Sequence, residues 1–219
     1  MLSERLSKVE ERIQNAANRA GRKREEITLI AVTKKFPAEV VREAYDLGLR
    51  IFGENYVQEF ERKHPALADL AGAEFHLIGH LQSNKSRVAG DLFQVIETVD
   101  SEKLARRLNQ SNKPLEVMIE VKLSHEESKE GAAPAELAAL ISAIRECPNL
   151  NLTGLMTMPP WCDDPEVTRP YFRELASLAR LHGLPKLSMG MSHDLEAAIE
   201  EGSTHVRVGT ALFGPRIKP

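Results

Sequence analysis

Eight times along the chain a short apolar or β-branched run is followed by residues of helical spacing or by the chain's end, and this alternation constrains the fold more than any other feature. The runs lie at residues 27–32, 49–52, 74–78, 93–98, 115–121, 152–156, 186–188 and 205–208. Between them, helical spacing is clear at Val40, Val41, Ala44 and Leu47 closing on Gly48, and at 104–108. It recurs at 137–144 behind Pro134, at 171–181 ahead of Gly183 and at 195–199 ahead of Gly202. A parallel pair needs a crossover connection, so regular βα alternation predicts a parallel sheet.

Eight such units favour closure into a barrel, since an open dinucleotide-binding sheet would carry a glycine-rich first turn. The first turn here, Val32-Thr33-Lys34-Lys35-Phe36-Pro37, has no glycine. Before it, Leu2, Leu6, Val9, Ile13, Ala16, Ala17 and Ala20 trace an amphipathic helix that stops at Gly21. The expected fold is α/β: a single (β/α)8 TIM-type barrel with an extra N-terminal helix, one domain over residues 1–219.

Composition narrows the partners. The net charge is −3 and the charged residues are scattered, so no basic stripe advertises nucleic acid. No apolar run approaches the roughly 20 residues of a membrane helix, and the charged start MLSERLSKVE does not read as a signal peptide. A cytoplasmic protein away from membranes is expected. Cys147 and Cys162 are too few for a disulfide framework and lack zinc-ligand spacing, which reads as two free thiols.

A parallel barrel points all its strand C-termini at one face, where the following loops build the site. Polar and glycine residues collect there: Lys34 after the first strand, Gly53-Glu54-Asn55-Tyr56 after the second, Gly79-His80 after the third, Met189-Gly190-Met191-Ser192 after the seventh, Gly209-Thr210 after the eighth. Barrels often bind phosphate at the last two of these loops. Ser192, Gly209 and Thr210 suit that role by hydroxyl donation and close backbone approach. The ordinary alternative makes Ser192 the N-cap of the helix starting near Asp194 and Gly209 a turn residue.

Lys34 closes an apolar strand, where desolvation favours the neutral amine that Schiff-base chemistry requires. A solvated boundary lysine is the plainer reading, and strand alternation turns Lys35 the other way. Arg207, between two valines, is expected inside the barrel with His205, paired with a carboxylate such as Glu54 or Asp194 or donating to a ligand's ring nitrogen. His76 and His80 flank a strand end and lack helical metal-ligand geometry, so no metal is expected. Trp161 reads as a loop anchor rather than a ligand platform.

These blocks carry a resemblance: Ala31-Val32-Thr33-Lys34, the run from Phe52 to Glu59, the run from His76 to Lys85, Gly154-Leu155-Met156, Ser188-Met189-Gly190-Met191-Ser192 and the run from Val206 to Gly214. In this order they resemble the pyridoxal phosphate homeostasis protein family (YggS/PROSC) over nearly the whole chain. The resemblance implies a fold-type III barrel like the N-terminal domain of alanine racemase. It implies pyridoxal 5'-phosphate as cofactor, joined to Lys34 as a Schiff base, with its phosphate near Ser192, Gly209 and Thr210. It sets Arg207 near the pyridine nitrogen and Asn55 near the ring.

The chain departs from relatives at Lys35, Phe36 and His193, where threonine, lysine and an acidic residue are common. These departures bear on any transfer route, for which Lys129 is a candidate.

The expected function is to carry or buffer the cofactor rather than to catalyse, with no catalytic residue assigned. Racemases of this fold add a second domain with an acid or base across the cofactor, and this chain ends just after the barrel. An arginine beside the ring nitrogen also weakens the electron sink. A weak amino-acid racemase is the alternative, and a cofactor-free phosphate-sugar barrel a third reading. Apo-enzymes that use pyridoxal phosphate are the recipients this implies, and relatives suggest a monomer.

Overall fold

The computed structural model describes residues 1–124 and 130–215. Eight parallel strands close into a barrel in chain order. They are β1 (Thr28–Val32), β2 (Ile51–Glu54), β3 (Glu74–Leu77), β4 (Val95–Val99), β5 (Leu115–Glu120), β6 (Leu150–Met156), β7 (Lys186–Met191) and β8 (His205–Val208). β8 pairs with β1 through Thr28 opposite His205 and Ala31 opposite Val208. Helix α1 (Leu2–Arg19) precedes the barrel. Following the strands come α2 (Ala38–Asp46), α3 (Val57–Lys63), α4 (Ser86–Leu92), α5 (Glu102–Leu108), α6 (Leu137–Arg145), α7 (Arg169–His182), α8 (Leu195–Glu200) and α9 (Thr210–Phe213).

The expected barrel is present, with shifted boundaries. β2 starts at Ile51 rather than Leu49, because Gly48 (φ 97°) closes α2 and the Leu49 N–H bonds back to Ala44. Gly53 and Glu54 therefore belong to the strand and not to the loop after it. β7 continues past Ser188 to Met191 through a register shift against β8, where Gly190 has φ 92°. A Cβ on Gly190 would lie 2.5 Å from that of Ala198, so glycine is required here both by conformation and by α8 packing. The short helices α3 and α4, not singled out in the sequence, complete the ring.

Alternation along each strand divides two interiors. Between sheet and helices lies the apolar core, with Phe52, Phe75, Phe60 and Phe93 in a chain of ring contacts, and Val206 and Val208 among its members. Inside the barrel, aliphatic Ile30, Ile78, Val95 and Met118 share space with buried His76, Glu97, Glu120, Ser188, His205 and Arg207. α1 packs on α8 and α9 and braces the end of the barrel where β7 and β8 give out. Cys147 and Cys162 are both free thiols. No helix among the described residues is long and apolar enough to cross a membrane.

Candidate functional site

A cavity of about 250 Å³ opens at the C-terminal mouth of the barrel, at the small end of ligand sites. Lys34, Asn55, Ser192, Arg207, Gly209 and Thr210 all line it, although they come from four strand-ending segments. Val32, Ile78, Met158, Trp161, Met191 and His193 complete the wall.

Lys34 sits in the loop just after β1, and this loop is held from below. Lys63 of α3 donates to the carbonyls of Thr33 (3.1 Å) and Phe36 (3.0 Å) and to Glu54 Oε1 (2.7 Å). The Thr33 hydroxyl donates to the same Glu54 oxygen at 2.7 Å. Burial pushes the Glu54 carboxyl up, against the pull of Lys63. Glu54 is thus committed to Lys63 and is not the partner of Arg207. Lys35 is not a continuation of the strand: β1 ends at Val32, and Lys35 takes φ 65° with its N–H on Glu59 Oε1 (2.6 Å). Asn55 presents a buried side-chain oxygen that has no hydrogen-bond partner among the described residues, a cost that a ligand donor in the cavity would relieve.

At the opposite wall Ser192 does not cap α8. That cap is Asp194, whose carboxylate accepts the Met191 N–H at 2.7 Å. Ser192 Oγ instead reaches across to β8 and α9 and accepts the N–H groups of Gly209 (3.3 Å) and Ala211 (3.2 Å). Oxygen is already the preferred occupant of this backbone pocket, which makes it suited to an anion. Arg12 of α1 supports it from behind, donating to the Ser192 carbonyl at 2.9 Å while gripping both oxygens of Glu196 at 2.6 and 2.7 Å. A Cβ on Gly209 would meet only Val32, at 3.5 Å, an ordinary contact. Protein packing does not demand glycine here, so the missing side chain leaves space on the cavity side.

Arg207 and His205 face inward as expected, yet the partners differ from Glu54 and Asp194. Arg207 donates to Ser188 Oγ (2.7 Å) and to the Thr157 carbonyl (2.8 Å). Ser188 donates to Glu97 (2.5 Å), and Glu97 bonds His76 Nδ1 (2.6 Å). Burial pulls the Arg207 guanidinium down, and Glu97, Glu120 and Asp194 oppose it. Glu97 is disfavoured by burial but held down to about 2 by His76 and Arg207. His76, also resisted by burial, is raised to about 9 by Glu74 and Glu97. His205, chiefly through burial, falls to about 4. The network thus holds His76, Glu97 and Arg207 charged and His205 neutral at neutral pH. Asp194 remains a distant charge, and its own carboxylate serves the Met191 turn.

Trp161 is no packing anchor: it is 72% exposed and lies over the cavity with its ring 4.8 Å from that of His193. Sequence reasoning also missed Glu97, Ser188 and Arg12. The inward parity of Glu97 and Ser188 could have found the first two, but no local signal ties Arg12 to Ser192. Lys129 lies outside the described residues.

The chain matches the alanine racemase N-terminal domain family over residues 5–217. A pyridoxal phosphate homeostasis protein of Aquifex aeolicus is 47% identical, covering 97% of this chain and 97% of that protein. PipY of Synechococcus elongatus, solved with pyridoxal phosphate bound, is 36% identical with a TM-score of 0.84, covering 98% of this chain and 100% of its own. Alanine racemase of Corynebacterium glutamicum shares the fold at 21% identity and a TM-score of 0.67, covering 95% of this chain and 60% of the racemase.

Proposed function

Because this chain belongs to the alanine racemase N-terminal domain family and, within it, to the pyridoxal phosphate homeostasis proteins, we propose that it holds pyridoxal 5'-phosphate on Lys34 and keeps the cofactor in custody rather than turning it over. Its place is vitamin B6 homeostasis, and apo-enzymes that need the cofactor are its recipients. The observation that carries this reading is the convergence of Lys34, Asn55, Arg207 and the Ser192–Gly209 backbone pocket on one cavity.

The residues fit the group. The cofactor supplies an aldehyde that condenses with a primary amine, losing water, and a pyridine ring that can draw electrons. Lys34 offers the amine. Ser192, Thr210 and the Gly209 and Ala211 N–H groups take the phosphate, and Asn55 faces a ring substituent with its unpaired oxygen. Arg207 addresses the ring nitrogen. Locked in its protonated form by Glu97 and Ser188, it cannot hand over a proton and disfavours one on the nitrogen. That weakens carbanion chemistry and favours binding. The racemase likeness, at 21% identity, carries the fold and no activity.

Borohydride reduction followed by peptide mass measurement tests the reading, with a pyridoxyl adduct on Lys34 as the expected result. Lys34-dependent deuterium wash-in at the α-carbon of an added amino acid would replace custody with weak racemase catalysis.

Two further outcomes are expected. Gly209→Ala should melt within about 1 °C of the parent yet bind pyridoxal phosphate roughly tenfold more weakly, about 1.4 kcal/mol. The emission of Trp161, the single tryptophan, reports it by titration. Unchanged affinity would show that the space beside Gly209 is not used. Arg12→Ala should also weaken binding several-fold by releasing the Ser192 carbonyl, with Arg12→Lys restoring part of it. Equal affinity in all three proteins would reduce Arg12 to a helix anchor.

A further inference from the structure

A second cavity of about 300 Å³ lies beside the first and shares Met158 with it. Its wall includes His80, from the loop after β3, and Glu130. Asp100, from the loop after β4, faces His80 from the other side. His80 Nδ1 is 3.6 Å from Glu130 Oε2 and 3.8 Å from Asp100 Oδ2, and one donor atom from each residue lies within 4.8 Å of the others.

A second observation is independent of this cluster. Ser124 lines the same cavity, is 9% exposed, and its hydroxyl is buried with no hydrogen-bond partner among the described residues. A buried hydroxyl left unpaired costs about 1–3 kcal/mol, so a group in the cavity is wanted to meet it.

We propose that His80, Asp100 and Glu130 bind a divalent transition-metal ion, with the Ser124 hydroxyl facing the same space. One imidazole nitrogen with two carboxylates is a donor set for Zn²⁺ or Mn²⁺. Bonds near 2.1 Å in a tetrahedral arrangement hold ligand atoms roughly 3.4 Å apart. The observed 3.6 and 3.8 Å contract to that by a small rotation of each side chain.

The ligands are also oriented from behind, as metal ligands are. Ser101 Oγ donates to Asp100 Oδ1 at 2.9 Å, which leaves Oδ2 for His80 and the ion. Thr98 Oγ1 donates to the Gly79 carbonyl at 2.9 Å and fixes the loop that carries His80. Negative charge is concentrated here: after burial, the carboxylates of Asp100 and Glu130 help push the neighbouring Glu120 carboxyl up. The spacing of His76 and His80 gave no such expectation, because His80 finds its partners on other loops while His76 turns into the barrel with Glu97.

The test is titration of the chelator-dialysed full chain with Mn²⁺, followed by loss of the free-ion EPR signal, and competition by Zn²⁺, with and without added pyridoxal phosphate. One site per chain is expected under both conditions. His80→Ala, Asp100→Asn and Glu130→Gln should each weaken it at least tenfold, with far-ultraviolet circular dichroism and melting unchanged because His80 and Glu130 are exposed and Asp100→Asn keeps the shape of a half-buried side chain. No uptake of either ion, or uptake that all three variants leave unchanged, overturns the site and leaves an ordinary histidine–carboxylate ion pair. Uptake that appears only with pyridoxal phosphate assigns the ion to the cofactor and overturns it too. None of these results depends on whether Lys34 carries the cofactor.

Discussion

Lys34→Ala is expected to abolish covalent attachment: no pyridoxyl adduct after borohydride, no aldimine absorbance beyond that of free pyridoxal phosphate, and an affinity lower by about 10²-fold, close to 3 kcal/mol. The reason is local. Among the described residues Lys34 is the lysine lining the cavity, and the loop that carries it is pinned by Lys63 through the carbonyls of Thr33 and Phe36. Removing the amine leaves the phosphate and ring contacts intact, so weak reversible binding should persist and Trp161 emission should still respond. Melting should be unchanged, because the side chain is half-buried in a loop and not part of the core. An adduct retained at another lysine would sink the assignment. Lys63→Ala offers a graded control: the amine remains but the loop loses its anchor, so the adduct should form more slowly and Glu54 should be left without its cation.

The largest loss of stability is expected from Glu97→Gln. Glu97 is fully buried and joins His76 at 2.6 Å to Ser188 at 2.5 Å, and through Ser188 to Arg207. Neutralising it leaves two buried cations, His76 and Arg207, short of their nearest counter-charge. Breaking a buried pair from one side typically costs about 3–5 kcal/mol. For a domain of this size that is a fall in melting temperature of roughly 10 °C. A fall below about 2 °C would show that the network is not ionised as described. Pyridoxal phosphate should protect the variant less than the parent, since Arg207 loses the carboxylate chain that fixes it towards the cavity.

The same network sets a pH dependence whose sign can be worked out. His76 is raised from 6.5 to about 9 in the fold, so its contribution is full below about 6.5 and fades as pH rises through 9. Glu97 is lowered from 4.5 to about 2, so its contribution is present above about 4.5 and is lost as pH falls towards 2. His205, lowered to about 4 by burial, removes stability as pH drops from 6.5 to 4, because the unfolded chain then binds the extra proton. Glu120, raised to about 7 chiefly by burial, contributes below 4.5 and fades as pH rises through 7. Thermal melting from pH 5 to 9 should therefore decline on the alkaline side, and in Glu97→Gln that decline should be shallower.

Much of the architecture was legible in the chain. The period of the apolar runs counts out eight βα units, and the parity of Arg207 between two valines turns it inward, because alternation in a strand leaves each side chain only two directions. Boundaries were less legible where glycine acts through conformation: Gly48 delays β2, and Gly190, at φ 92°, extends β7 through a register shift. Lys35 is exposed and turned away from the cavity as expected, but through a left-handed residue past the end of β1 and not through strand alternation.

What the sequence by itself determined is the set of strand-ending residues, Lys34, Asn55, Ser192, Gly209 and Thr210, since a parallel barrel must deliver them all to one face. Only the tertiary structure decided what those residues do to one another: that Ser192 bonds the Gly209 and Ala211 N–H groups instead of capping a helix, that Arg207 is tied to Glu97 through Ser188, and that Trp161 covers the cavity. Strand order and parity are properties of neighbours along the chain. The pairing of charges depends on distances between segments tens of residues apart, which only barrel closure and register fix.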